Sequence, residues 1–120
     1  MKKKYIVKNS RDFEKIIKEG KCKKNHSFII HSKENELDYD KYGISVSKKL
    51  GNAVFRNKYK RKIRSIVDNY KKMYINHKDY IIILRGSAKD KDYHTLNADF
   101  TTLMDNIRKD IEKHEEIKQN

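Results

Sequence analysis

Gly43-Ile-Ser-Val-Ser-Lys-Lys-Leu-Gly-Asn-Ala-Val-Phe-Arg-Asn-Lys-Tyr-Lys-Arg-Lys-Ile-Arg64 is the stretch whose reading decides the fold. At its start, Tyr42, Ile44 and Val46 alternate with Gly43, Ser45 and Ser47, the period-2 pattern of a strand buried on one face and open on the other. The small residues on the open face leave room for a ligand against the sheet. Lys48-Lys49-Leu50-Gly51 turns the chain, Asn52 is placed to cap a helix, and the period then changes. At about 100° per residue, Phe55, Tyr59, Ile63, Ile66, Val67, Tyr70 and Tyr74 fall on one side, and Asn57, Lys60, Arg61, Arg64 and Lys71 on the other. A half-open strand therefore feeds a helix with one packing face and one cationic ridge.

Charged helix faces are ordinarily no more than solvated surfaces. Two features set this one apart. Asp68 is the only acidic residue between Gly51 and Tyr74, so the ridge lacks the i,i+4 carboxylates that relieve like-charge repulsion. Arginine stands at 56, 61 and 64, and its planar fork suits phosphate oxygens. The ridge calls for a polyanion.

Working outward, residues 1–9 read as a mobile basic arm. Residues 10–19 read as a short helix, with Ser10 as its cap, Phe13, Ile16 and Ile17 as its apolar stripe and Gly20 as a left-handed stop. Residues 27–32 read as a strand and 33–41 as a loop. Beyond the cationic helix and a break at Asn76-His77-Lys78, Tyr80-Ile81-Ile82-Ile83-Leu84 is apolar without alternation, as in a central strand covered on both faces. Two strands flanking a helix predict a parallel crossover. Leu96, Phe100, Leu103, Met104, Ile107 and Ile111 form the core stripe of a last helix, and the polar residues 112–120 read as a flexible tail.

The chain has 120 residues, which suffice for one domain with one core. Thirty Lys and Arg against seventeen Asp and Glu give a net charge of +13, pointing to nucleic acid. A membrane is disfavoured: no apolar run approaches the ~18 residues of a spanning helix. Lys2-Lys3-Lys4 precedes no long apolar region or cleavage site, so a cytoplasmic protein is expected. Cys22 is the only cysteine and forms no intrachain disulfide, and the five histidines lack zinc-ligand spacing, so no metal site is expected on the protein.

With these residues in place, the chain resembles the protein subunit of bacterial ribonuclease P. The stretch Gly43 to Arg64 is similar, without a gap, to that family's strand, turn and Arg-Asn-rich helix. Support comes from Asp12-Phe13 with Gly20, from Phe28-Ile29-Ile30 and from Asp79-Tyr80-Ile81-Ile82-Ile83. The resemblance implies an α+β fold, a two-layer α/β sandwich with a small mixed four-stranded sheet and about three helices. It also implies a left-handed βαβ crossover, where sequence pattern alone would favour the right hand. The implied task is to bind a large catalytic RNA subunit and the 5′ leader of precursor tRNA, assisting endonucleolytic removal of the leader. Catalysis and its magnesium would belong to the RNA; no cofactor is expected on the protein alone.

Residue by residue, the resemblance assigns Lys48, Lys49, Asn52, Arg56, Asn57, Lys60, Arg61 and Arg64 to the surface that meets the RNA subunit. It assigns Phe13, Ile17, Ile29, His31 and Ser45 to the leader cleft, where bases stacking on a platform are worth about 1–3 kcal/mol each. Relatives often carry an aromatic at the place of Ile17 and Tyr at that of His31, so Ile17 offers only apolar contact while His31 can still stack. No catalytic residue is expected. Two other classes compete. A protein nuclease would need converging carboxylates or a His with a Lys or Glu, and its nearest candidates are Asp38, Asp40 and His31. A structural RNA-binding protein fits the composition equally and is set aside only by the long motif.

Overall fold

The computed structural model describes the backbone of residues 1–119 and the side chains of residues 1–110. Four strands, β1 (Lys21–Lys24), β2 (Phe28–Glu34), β3 (Lys41–Ser45) and β4 (Lys78–Leu84), form one sheet in the order β1-β2-β4-β3. The helices are α1 (Ser10–Glu19), α2 (Ala53–Lys71) and α3 (Tyr93–Gln119). β3 and β4 pair in parallel across the α2 connection, and β2 pairs antiparallel with β1 and β4, so the sheet is mixed.

Phe28, Ile30, Tyr42, Tyr80, Ile82 and Leu84 line one face of the sheet. They pack against Tyr59, Ile63, Ile66, Val67 and Tyr70 of α2 and the Leu96–Ile107 stripe of α3, numbers 96, 100, 103, 104 and 107. Five of the seven residues expected on the packing side of α2 are thus buried; Phe55 is partly buried, and Tyr74, also partly buried, lies beyond the helix, which ends at Lys71 rather than near Tyr74. Ile111 and the tail 112–120 lie outside the residues whose side chains are described. Stacked Tyr42 and Tyr80, 5.1 Å between centroids, join two neighbouring strands, and Phe100 meets Phe28 and Tyr70 edge-on. On the far face lies only α1, over a small cluster of Val7, Ile16 and Ile81 edged by Phe13 and Ile83. β4 is covered along one face by α2 and α3 and on the other at Ile81 by α1, with Ile83 left half-buried at the edge of that cluster.

Several local expectations are corrected. α1 is capped by Asn9, whose Oδ1 accepts from the Asp12 amide at 2.8 Å, rather than by Ser10. Gly20 is extended, with φ −82° and ψ 173°, rather than left-handed. It is needed because a Cβ there would collide with the carbonyl oxygens of Ser32 and Ile16 where helix meets sheet. Lys33 and Glu34, read as loop, continue β2 opposite Asp79 and Lys78, two cross-strand pairs of opposite charge. Residues 1–9, read as a free arm, are laid along the β3 edge: Ile6 bridges Tyr42 in parallel, the Val7 amide donates to the Tyr42 carbonyl at 3.0 Å, and Val7 is buried. The apolar Tyr5-Ile6-Val7 explains this, since burying it outweighs leaving three lysines free in solution.

Asp40 ties the base of the sheet together. Its buried carboxylate accepts from the backbone amides of Asn76 at 2.9 Å and Lys78 at 2.7 Å, joining the chain before β3 to the chain entering β4. Burial raises its pKa above the ordinary carboxylate value, although both amides act in the opposite direction.

Candidate nucleic-acid interface

The ridge begins where the Asn52 side chain caps α2, accepting from the Phe55 amide at 3.0 Å. Because a cap uses only the amide oxygen, the Asn52 nitrogen remains available as a donor. Just before it, Lys48 and Lys49 stand exposed on a 3₁₀ turn, Lys48–Leu50, whose cap is Ser47, with the Lys49 amide 3.2 Å from its Oγ. Asn57, Arg61 and Arg64 are exposed, while Arg56 and Lys60 are half-buried. Arg56 carries a buried Nε with no hydrogen-bond partner among the described residues. That donor costs free energy while unmet, and an acceptor arriving at the guanidinium would recover it. Among the described residues, the four ion pairs are Met1 amino group–Asp68, Lys23–Asp110, Lys33–Glu19 and Lys91–Asp99, and none falls on the ridge.

The cleft residues come from α1 and the far sheet face. Register fixes them in two rows: Lys24, Ile29, Ile83 and Ser45 form one, Cys22, His31, Ile81 and Gly43 the next. Phe13 lies over the second row, so close that a Cβ on Gly43 would stand 2.5 Å from its Cζ and 2.9 Å from Ile81 Cδ1. The space read beside Gly43 is therefore filled by Phe13. The row of Ile29, Ile83 and Ser45 is only half-buried and stays accessible. Ile17 is 42% exposed. His31 holds its Nδ1 buried without a partner among the described residues, and desolvation lowers its pKa, which favours the uncharged ring suited to stacking. Sequence reading missed Ile83 and Lys24. Ile83 is hidden inside an all-apolar run, and Lys24 sits on a strand with no apolar pattern.

The three protein-nuclease candidates do not form one site. Asp40 is committed to backbone amides, Asp38 is exposed in the loop before β3, and His31 sits on the far sheet face. Among the described residues no three of His, Cys, Asp and Glu gather where they could hold a metal ion. Nor is any helix there long and apolar enough to cross a membrane.

Fold and surfaces together define a class: an α+β domain that offers a polyanion an ordered cationic helix face beside a half-open sheet. The family model for ribonuclease P matches residues 1–108. The chain belongs to the ribonuclease P protein family. It is similar to the ribonuclease P protein component of Mycoplasma capricolum, 44% identical over 109 residues that cover 90% of this chain and 100% of that one. The Streptococcus pneumoniae component is 42% identical over 93 residues, covering 78% and 76%. Among solved structures, the Staphylococcus aureus RNase P protein superposes with a TM-score of 0.79 at 40% identity, covering 84% of this chain and 93% of that one. The Thermotoga maritima protein gives 0.76 at 33%, covering 81% and 92%.

The unrelieved charge has a consequence for folding. At low salt the free protein should be partly unfolded by self-repulsion, and sulfate, binding only the native basic sites, should shift it toward the folded state. Circular dichroism against sulfate concentration measures this. A spectrum that is fully folded in dilute neutral buffer and unmoved by sulfate would contradict it.

Proposed function

We propose that this chain is the protein component of a cytoplasmic ribonuclease P, a ribonucleoprotein that removes the 5′ leader from precursor tRNA. The ridge of Lys48, Lys49, Asn52, Arg56, Asn57, Lys60, Arg61 and Arg64 seats the catalytic RNA subunit. The cleft of Phe13, Ile17, Ile29, His31 and Ser45, with Ile83, takes the single-stranded leader. The observation that carries this reading is the adjacency of the two surfaces: one 3₁₀ turn separates Ser45, at the cleft, from Asn52, at the head of the ridge. An RNA held on the ridge and a strand lying on the sheet would thus meet at a fixed relative position, which is what cutting at the leader junction demands.

The chain's own residues bind and orient. Arg and Lys neutralise phosphates, Asn donates and accepts at sugar or bound water, and the platform accepts bases without reading sequence. Activating the water that attacks the phosphodiester would fall to magnesium held by the RNA subunit, a metal being the usual way to do this at neutral pH.

Two measurements test this. The purified protein in magnesium should leave precursor tRNA intact, and adding the catalytic RNA should give cleavage at the mature 5′ end. Cleavage by the protein alone, abolished by changing Asp38, Asp40 or His31, would replace this reading with a protein enzyme. In the holoenzyme, Phe13→Ala should weaken leader-bearing precursor by about 1–3 kcal/mol and leave mature tRNA nearly unchanged. A folded variant losing both equally would refute the leader assignment.

A further inference from the structure

The end of the molecule opposite Asn52 carries a second cationic surface that shares Lys71, the last residue of α2, with the polar side of that helix but uses none of the residues assigned to the RNA subunit or the leader. It is built by three segments distant in sequence. Tyr5 and Tyr39 meet edge-on, 5.4 Å between centroids. Lys4 Nζ stands 4.9 Å from the centroid of each ring, and Lys71 Nζ, from the last turn of α2, stands 3.3 Å from that of Tyr5. Two ammonium groups thus share one ring. They are held in place by cation–π attraction and not by a carboxylate.

Shallow grooves flank the ring pair. One, of about 410 Å³, is lined by Lys3, Lys4, Lys8 and Lys41 with Asp12 and Asp79. The other, of about 480 Å³, has Lys2, Lys71 and Lys72 on its wall with Asp68. Four carboxylates, Asp12, Asp40, Asp68 and Asp79, stand among these lysines, three of them also engaged by other groups. Asp40 serves the amides of Asn76 and Lys78, Asp79 accepts from Asn35 Nδ2 at 2.8 Å, and Asp68 pairs with the amino terminus. Seven lysines outnumber these carboxylates, one of which is paired with the amino terminus, so the end stays net positive and an extended anion would relieve it.

We propose that this end is a second phosphate-backbone contact for the RNA subunit that the ridge seats, an inference that rests on the function proposed above. Lysines without arginine suit a backbone met as point charges. The two surfaces are joined by one helix of 19 residues, about 28 Å at about 1.5 Å per residue, so they reach separate segments of a large folded RNA. A leader of a few nucleotides lying in the cleft does not span that distance. Met73 and Ile75, exposed nearby, are two apolar side chains beside seven lysines and make an anionic membrane the weaker partner.

The test compares affinity for full-length catalytic RNA among three proteins, each checked for its fold by circular dichroism. Lys3→Gln, Lys4→Gln, Lys8→Gln and Lys72→Gln combined should lower affinity at least tenfold near 0.15 M salt and reduce the log–log salt slope by about 1 for each lysine that met a phosphate. Arginine at the same four positions should restore both. Arg61→Ala with Arg64→Ala is the control: if it leaves affinity intact, the proposed function itself fails; if only it weakens binding, the second contact fails. Loss of binding to phosphatidylserine vesicles without loss of RNA binding would also overturn the proposal in favour of a membrane. Independently, Cys22→Ser with Lys72→Cys carries a single tethered iron–EDTA, which should cut the catalytic RNA at a segment different from that cut from Lys58→Cys. Absence of cuts from Lys72→Cys, or cuts only in precursor tRNA, would refute it.

Discussion

Gly43→Val should detach α1 from the sheet. The new methyl groups would occupy the place of the Phe13 ring, already 2.5 Å from a bare Cβ, and neither β3 nor β4 can retreat because their other face is packed against α2 and α3. Overpacking costs about 1–3 kcal/mol. The cluster under α1 is small, so the principal core should survive while the helix moves. The expected outcome is a folded protein with a lowered melting temperature that no longer distinguishes precursor from mature tRNA in the holoenzyme. Binding to the catalytic RNA, which depends on α2, should persist. A valine variant with unchanged melting and unchanged leader discrimination would show that Phe13 does not occupy this position.

Asp40→Ala should be the more damaging change for stability. It strips the acceptor from two amides, and each buried donor left unmet costs about 1–3 kcal/mol, a large share of the about 5–15 kcal/mol that holds a domain. Asp40→Asn keeps one oxygen acceptor and should lose less. The pH dependence has a definite sign. Because burial raises the folded pKa, the folded state holds this proton more tightly than the unfolded chain, so the group's contribution falls as pH rises from the ordinary carboxylate value to the raised one, and is constant above it. Chemical denaturation from pH 3 to 7 should show this component in the wild type and lack it in Asp40→Asn. Equal pH profiles for the two would rule it out.

How much was legible follows from what each residue signals. α2 could be read because its 19 residues keep one period, and β4 because five apolar residues in a row fit only a covered strand. β1 could not: Lys21, Cys22, Lys23 and Lys24 carry no alternation, and the strand exists because its backbone pairs with β2, a relation residue type does not reveal. The N-terminal segment was misjudged because three lysines mask the apolar triplet behind them. Of the interface, the ridge was legible because helix geometry alone sorts its side chains. The cleft was less so: Gly43 reads as empty space until the partner that fills it, thirty residues earlier in the chain, is brought across by α1.

The sheet's two borders also bear on how such a protein survives before it finds an RNA. β1 is four residues long with three lysines, and the opposite border at β3 is shielded by Ile6 and Val7. Neither rim offers a long uncharged template on which another chain could add a strand. A newly made copy, strongly cationic, thus meets its siblings with rims that disfavour edge-to-edge stacking, a protection built into the sheet rather than left to an eventual partner.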